Sequence, residues 1–174
     1  MTIESRRAHE MRKYLTLLST DYGSTNHGAG AVPLARSWRP AFVADFGCGR
    51  NLFIAGLRAE GIAGVGIDFA FPEADVAAPM HATGLADGVA DVVTSFDAME
   101  HLLPEDVPLA LAEMRRVGTA GGRFVFSIST RDSTWRVDGE TLHPTVRPMS
   151  WWVEQIEAVG RVGVVGDYVV GDWR

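Results

Sequence analysis

The sequence predicts an α/β fold, a doubly wound and mostly parallel sheet in a single domain, and three observations carry that prediction. The run Phe42 to Phe46 is apolar enough for a buried parallel strand and breaks into glycines at 47 and 49, which let the backbone turn tightly and approach a ligand. Nineteen residues after Gly49, a second apolar run, Ala63 to Phe69, carries Asp68 near its end, where such a sheet presents a carboxylate to ribose hydroxyls. Strand-like and helix-like segments then alternate up to two valine runs near the C-terminus.

In chain order, Thr2 caps a first helix on which Ile3, Met11, Tyr14, Leu15 and Leu18 recur at helical spacing. This helix serves to cover the core; a substrate lid is the alternative. Residues 21–30 are turn-rich, and they place Tyr22, Asn26 and His27 among glycines. Residues 1–40 are therefore an N-terminal helix and loop, and residues 41–174 the ligand-binding core. Residues 51–61 give the first crossover helix. Phe71 to Glu73 leave no room for a helix before a third strand near residues 74–78, so the fold is trimmed. A fourth strand spans 91–96. Pro104, followed by Glu105 and Asp106, opens a helix that ends near Gly118. A fifth strand covers 123–129, and after a polar loop a helix runs from 149 to 159 and stops at Gly160. The valine runs at 162–165 and 168–170, separated by Gly166 and Asp167, close an antiparallel hairpin and bring the sheet to seven strands.

Composition agrees with one globular domain: 174 residues, 47% hydrophobic and 22% charged. No apolar run approaches the roughly 20 residues of a membrane span, and the N-terminus is charged where a signal peptide would be apolar, so a cytoplasmic protein with no membrane partner is expected. The single cysteine, Cys48, excludes an internal disulfide and any multi-cysteine metal site, and no metal is expected. Residues 45–106 carry 11 acidic and 2 basic side chains. That suits a cationic ligand, although a solvated acidic surface gives the same pattern. A net charge of −6 argues against a nucleic-acid footprint.

The glycine turn also separates two ligand classes. A dinucleotide site needs G-x-G-x-x-G, and the third position here is Leu52. Asp45, just before the glycines, would repel a pyrophosphate and attract a cationic amino acid. Asp45-x-Gly47-x-Gly49 resembles the first motif of the class I S-adenosylmethionine-dependent methyltransferases, of the methyltransferase type 11 kind. The resemblance continues through residues 84–102, where Ser95-Phe96-Asp97-Ala98-Met99-Glu100-His101-Leu102 is similar to the fourth strand and its Leu-Glu-His loop, and through Gly121-Gly122 and the strand after it.

The resemblance implies a Rossmann-like fold and an enzyme that binds S-adenosyl-L-methionine and releases S-adenosyl-L-homocysteine. Asp45, Phe46, Gly47, Gly49, Asp68, Phe69, Ser95 and Phe96 would hold the cofactor. Many relatives place an aspartate against adenine after the third strand; that position is Pro79 here, so Met80 and His81 would border the ring, with Asp75 as a substitute. Tyr22, Asn26 and His27 would form one wall of the acceptor pocket, unless they are plain surface loop, and Arg131, Trp135 and Arg147 another. His101 and His143 are the candidate bases, because transfer to a hydroxyl or a protonated amine requires a proton to leave. The expected reaction is methyl transfer to oxygen or nitrogen of a small molecule or glycan-like precursor. A nucleotide or RNA modifying enzyme, and a noncatalytic cofactor-binding module, are the alternatives. The DNA amine motif is missing at residues 95–98, and no cysteine follows the fourth strand for carbon methylation of cytosine.

Overall fold

On a strand, successive side chains point to opposite faces, and in this chain both faces are apolar at the centre of the sheet. The computed structural model describes residues 2–174. Its strands are β1 (Phe42–Phe46), β2 (Ala63–Asp68), β3 (Val76–Ala77), β4 (Ala90–Phe96), β5 (Gly118–Ser127), β6 (Arg136–Val137), β7 (Glu140–Thr141), β8 (Gly160–Val165) and β9 (Tyr168–Trp173). Seven of them form one sheet in the order β3-β2-β1-β4-β5-β9-β8, with β9 antiparallel to both neighbours. The helices are α1 (Ile3–Leu17), α2 (Val32–Ser37), α3 (Leu52–Ala59), α4 (Val107–Val117) and α5 (Met149–Glu157).

Alternation sorts the core into two. Ala44, Val93, Phe124 and Phe126 pack with Leu111 and Met114 of α4 and Trp152 and Ile156 of α5. Val43, Val92 and Val125, their neighbours in sequence, pack with Ala35 of α2 and Phe53, Ile54 and Leu57 of α3. The sheet is thus covered on both faces, as the doubly wound reading requires. The trimmed connection is also present: β2 runs to the two-residue β3 without a helix.

Four local expectations change. On α1 the buried residues are Lys13, Tyr14 and Leu17, while Met11 and Leu15 are exposed; the helix lies beside the cavity described below and is not a sheet-packing helix. The loop after residue 30 contains α2, with Pro33 in its first turn. α4 begins at Val107 because Pro108, not Pro104, occupies the first turn, and Asp106 is its N-cap residue. β5 starts at Gly118, since residues 118–122 bulge between the pairs Ala90 with Gly118 and Val92 with Arg123. Among the described residues no helix is long and apolar enough to cross a membrane.

Candidate active site

β1 pairs with β2 on one side and β4 on the other, so the chain's connections leave in opposite directions from its C-terminal end, and a crevice must open there. A cavity of about 970 Å³ occupies it. At its floor Gly47 has φ 74°, and a Cβ on it would stand 2.3 Å from the Met80 methyl and 2.6 Å from the Ala98 Cβ. Only glycine fits. Its N–H and that of Cys48 both donate to Ile67 O, at 2.8 and 3.0 Å, which pins the turn to β2. Gly49, φ 51°, faces open space where its Cβ would be.

Two carboxylates border this floor. Asp68 accepts from Gly49 N on one oxygen (3.1 Å) and from Ala70 N and Phe71 N on the other (2.8 and 3.3 Å). These bonds orient the group toward the cavity, and its oxygens keep acceptor capacity for a ligand's hydroxyls. Burial raises its pKa, against the pull of those backbone donors. Asp45 is buried, with Thr94 Oγ1 donating to one oxygen at 2.6 Å. Burial pushes its carboxyl up to about 7, the Thr94 bond opposing and the Asp68 charge adding. A carboxyl so placed ionises readily only beside a cation. A side-chain-free glycine floor, a ribose-ready Asp68 and a cation-seeking Asp45 together fit an amino-acid-bearing nucleoside such as S-adenosylmethionine.

Phe69, Met80, His81 and Phe96 also line the cavity, as does Pro79. Phe46 and Ser95 do not, and strand alternation is the reason: Asp45 takes the cavity side, so Phe46 goes to the core, and Ser95 is buried between Thr94 and Phe96. Asp75 is no substitute for the missing adenine aspartate. One of its oxygens receives Gly66 N (2.8 Å), Asn51 Nδ2 (3.0 Å) and Arg58 (2.8 Å), so it ties β2 to α3.

The far end of the cavity is aromatic and histidine-rich. Tyr22 stacks on Phe71 and meets the Trp135 ring edge-on, with centroids 6.2 and 5.4 Å apart. Arg50 holds that loop by donating to Tyr22 O and Thr20 O while lying over Phe71. Asn26, His27 and Arg131 line the same space, and His27 pairs with Asp97 at 2.8 Å. Arg147 does not reach it; its guanidinium lies 5.9 Å over Trp151, outside. His101 is in a 3₁₀ turn after β4 (Met99–His101), and its ring meets that of His143 edge-on at 4.6 Å.

The proton on His101 can be placed. Nδ1 is 2.7 Å from Leu142 O and 2.7 Å from the Tyr14 hydroxyl, which itself donates to Leu142 O at 3.1 Å. A carbonyl only accepts, so Nδ1 carries the hydrogen and Nε2 keeps its lone pair. The Tyr22 hydroxyl lies 3.4 Å from Nε2. Burial, with His143 adding, pushes the His101 pKa down to about 4. His143 is held the same way, Nδ1 at 2.7 Å from Arg131 O. Glu100, fully buried beside them, accepts from Ser129 N at 3.0 Å on one oxygen, while the other has no partner; burial pushes its carboxyl up to about 8.

Sequence reasoning missed Tyr14, Arg50, Phe71 and Glu100 as parts of this site. Glu100 had a signal, the Glu-His pair. Arg50 follows Gly49 directly and Phe71 stands three residues after Asp68, but neither residue type marks an acceptor wall there, and Tyr14 is distant in sequence.

The family described as "Methyltransferase domain" matches residues 44–126. A comparison with curated protein sequences finds no significant match. Among solved structures, the fold is shared with a 1,6-didemethyltoxoflavin-N1-methyltransferase from Burkholderia thailandensis with bound 1,6-didemethyltoxoflavin and S-adenosylhomocysteine: 18% identity, 100% of this chain and 90% of that one, TM-score 0.73. A TehB-like S-adenosylmethionine-dependent methyltransferase from Corynebacterium glutamicum aligns at 20% identity over 96% of this chain and 98% of that one, TM-score 0.62. The N-methyltransferase NodS from Bradyrhizobium japonicum, in complex with S-adenosylhomocysteine, aligns at 14% over 95% and 97%, TM-score 0.62. With the motif, the sheet order and the cavity in agreement, residues 44–126 are a methyltransferase domain, and the chain has the fold of the class I S-adenosylmethionine-dependent methyltransferases.

Proposed function

We propose that this enzyme methylates an oxygen or nitrogen of a small molecule carrying a ring, with His101 receiving the acceptor's proton. The observation that carries the reading is the placement of the His101 Nε2 lone pair at the aromatic end of the same cavity that holds Asp45, Gly47 and Asp68 at the other. At about 970 Å³ the cavity is at the top of the roughly 300–1,000 Å³ that small-molecule sites span, room for the cofactor and a modest acceptor. Bound S-adenosylmethionine supplies an activated methyl group, so what the protein must add is positioning and the removal of one proton. Tyr22, Phe71 and Trp135 offer flat faces to orient a ring, and Arg131 offers a charge-assisted donor. The proton leaves the acceptor atom for Nε2, and Tyr14 with Leu142 O holds the imidazole in the tautomer that can take it. The Burkholderia structure, an N1-methyltransferase with bound 1,6-didemethyltoxoflavin, supports a small acceptor, and the Bradyrhizobium N-methyltransferase supports nitrogen as the methylated atom. Arg147, outside the cavity over Trp151, offers no charge to a nucleotide acceptor bound there.

The test is a screen of ring-bearing phenols and amines with methyl-labelled cofactor, read as S-adenosylhomocysteine formed. His101→Ala is expected to lower turnover on a productive acceptor roughly 100-fold to 10,000-fold with cofactor affinity unchanged. Unchanged turnover would remove His101 from the chemistry. Cofactor binding without turnover on any acceptor would favour a binding module.

A further inference from the structure

The corner formed by Glu100, His101 and His143 has more acceptors than donors. One carboxylate oxygen and one nitrogen of each imidazole lie within 4.8 Å of one another. Both Nδ1 hydrogens are committed to main-chain carbonyls, Leu142 O and Arg131 O, each at 2.7 Å. What the two rings have left to offer is Nε2, a lone pair on each. The second oxygen of Glu100 is fully buried and has no hydrogen-bond partner. The Tyr22 hydroxyl, 3.4 Å from His101 Nε2, is the one donor recorded at these three acceptors, and the wholly buried Glu100 oxygen is the one most costly to leave alone. A histidine whose other nitrogen donates to a carbonyl is also the arrangement that fixes imidazole as a metal ligand.

We propose that Glu100, His101 Nε2 and His143 Nε2 form a binding site for one divalent transition ion of the zinc class, with a fourth position open to the acceptor end of the cavity. Two imidazoles and one carboxylate suit Zn²⁺, and three protein ligands with one open position are its common non-structural arrangement. Magnesium and calcium, which prefer oxygen ligands, are disfavoured by the two nitrogens. A single cysteine excludes only a multi-cysteine metal site, and two histidines 42 residues apart give no motif. A second group, His9, Glu10 and Glu140, differs in that the Lys13 ammonium already sits 3.0 Å from Glu10 and 2.8 Å from Glu140. The ion takes the lone pair that an acceptor's proton would need, so it blocks methyl transfer and leaves the cofactor end untouched; this consequence rests on the proton-acceptor reading above.

Calorimetry with ZnCl₂ on the metal-free full chain, and the visible absorption of four-coordinate cobalt on titration with CoCl₂, test the site. The expected result is one ion per chain, with His143→Ala and Glu100→Gln each weakening binding at least about tenfold and His9→Ala leaving it unchanged. Cofactor affinity of each variant reports that it has folded; should Glu100→Gln fail to fold, His143→Ala alone decides. No binding at micromolar ion, or binding that survives His143→Ala and disappears with His9→Ala, overturns the proposal. If one ion binds at the corner and turnover continues, the metal site stands and the base role of His101 falls.

Discussion

At the scale of single residues, Asp45 makes the sharpest statement. Its carboxyl, pushed up to about 7 by burial, is largely protonated below neutrality in the free protein. A cofactor bearing an ammonium or sulfonium binds the ionised form, so at low pH a proton must be displaced first. Cofactor affinity is therefore expected to rise as pH goes from 6 to 8 and level off once the proton is gone, measured by calorimetry in buffers of equal ionic strength. Asp45→Asn should bind weakly with no such rise. The sign for stability is the reverse. A folded-state pKa above the unfolded value means that Asp45's contribution is fully present below about 4 and is lost as pH climbs toward 7. The ligand-free chain should lose that part of its stability over the same range in which its cofactor affinity grows. Flat affinity from pH 6 to 8 would show that Asp45 is not the group facing the cation.

At the scale of elements, α1 and the β6–β7 hairpin act as one cover. Asp138 and Gly139 between the two strands have φ 51° and 82°, the pair that a tight two-residue turn requires. Glu140 receives His9 at 2.7 Å and Lys13 at 2.8 Å from α1, and Lys13 also donates to Thr141 O. Arg7 grips Asp106 with two nitrogens and so fastens α1 to the start of α4. Glu140 is held down to about 2 by His9 first and Lys13 next. Because the folded value lies below the ordinary one, this clip is complete above about 4.5 and is lost as pH falls toward 2. Glu140→Gln is expected to speed hydrogen exchange of residues 136–141 and of the end of α1 near Lys13 at neutral pH, with the central strands unaffected. Equal protection in the variant would mean that packing, not this ion pair, holds the cover. The sequence reading had this segment as a polar loop, yet Val137-Asp138-Gly139-Glu140 carries a hairpin signal; two-residue strands are too short to show alternation around it.

At the scale of the whole molecule, β9 decides whether the sheet is complete. It lies between β5 and β8, and its Trp173 packs on Phe124 and Phe126 with only 2% of its surface exposed. Gly118 is glycine because a Cβ there would meet the Trp173 indole at 2.3 Å. A residue next to the end of the chain thus fills the core beside α4 and α5, so Trp173→Ala is expected to cost about 3–5 kcal/mol in denaturant unfolding. A loss near zero would show that the last strand is dispensable to the fold.

The sequence by itself determined the fold class and the glycine-and-aspartate end of the cavity. Those signals are local: apolar strands buried on both faces, glycines where φ must be positive, and an aspartate one crossover helix away. Asp45, Gly47, Gly49 and Asp68 fall within 24 residues, and the sheet brings them together whenever β1 and β2 pair in register. Tertiary structure decided the acceptor end. Tyr14, Tyr22, His101 and His143 come from four separate segments, and their meeting depends on how α1 and the loop after β5 pack across the crevice. It also decided which side chains face the cavity, sending Phe46 and Ser95 inward by strand alternation and Arg147 outward over Trp151. Proximity across long stretches of chain comes from packing the whole core, and no short window of sequence carries it.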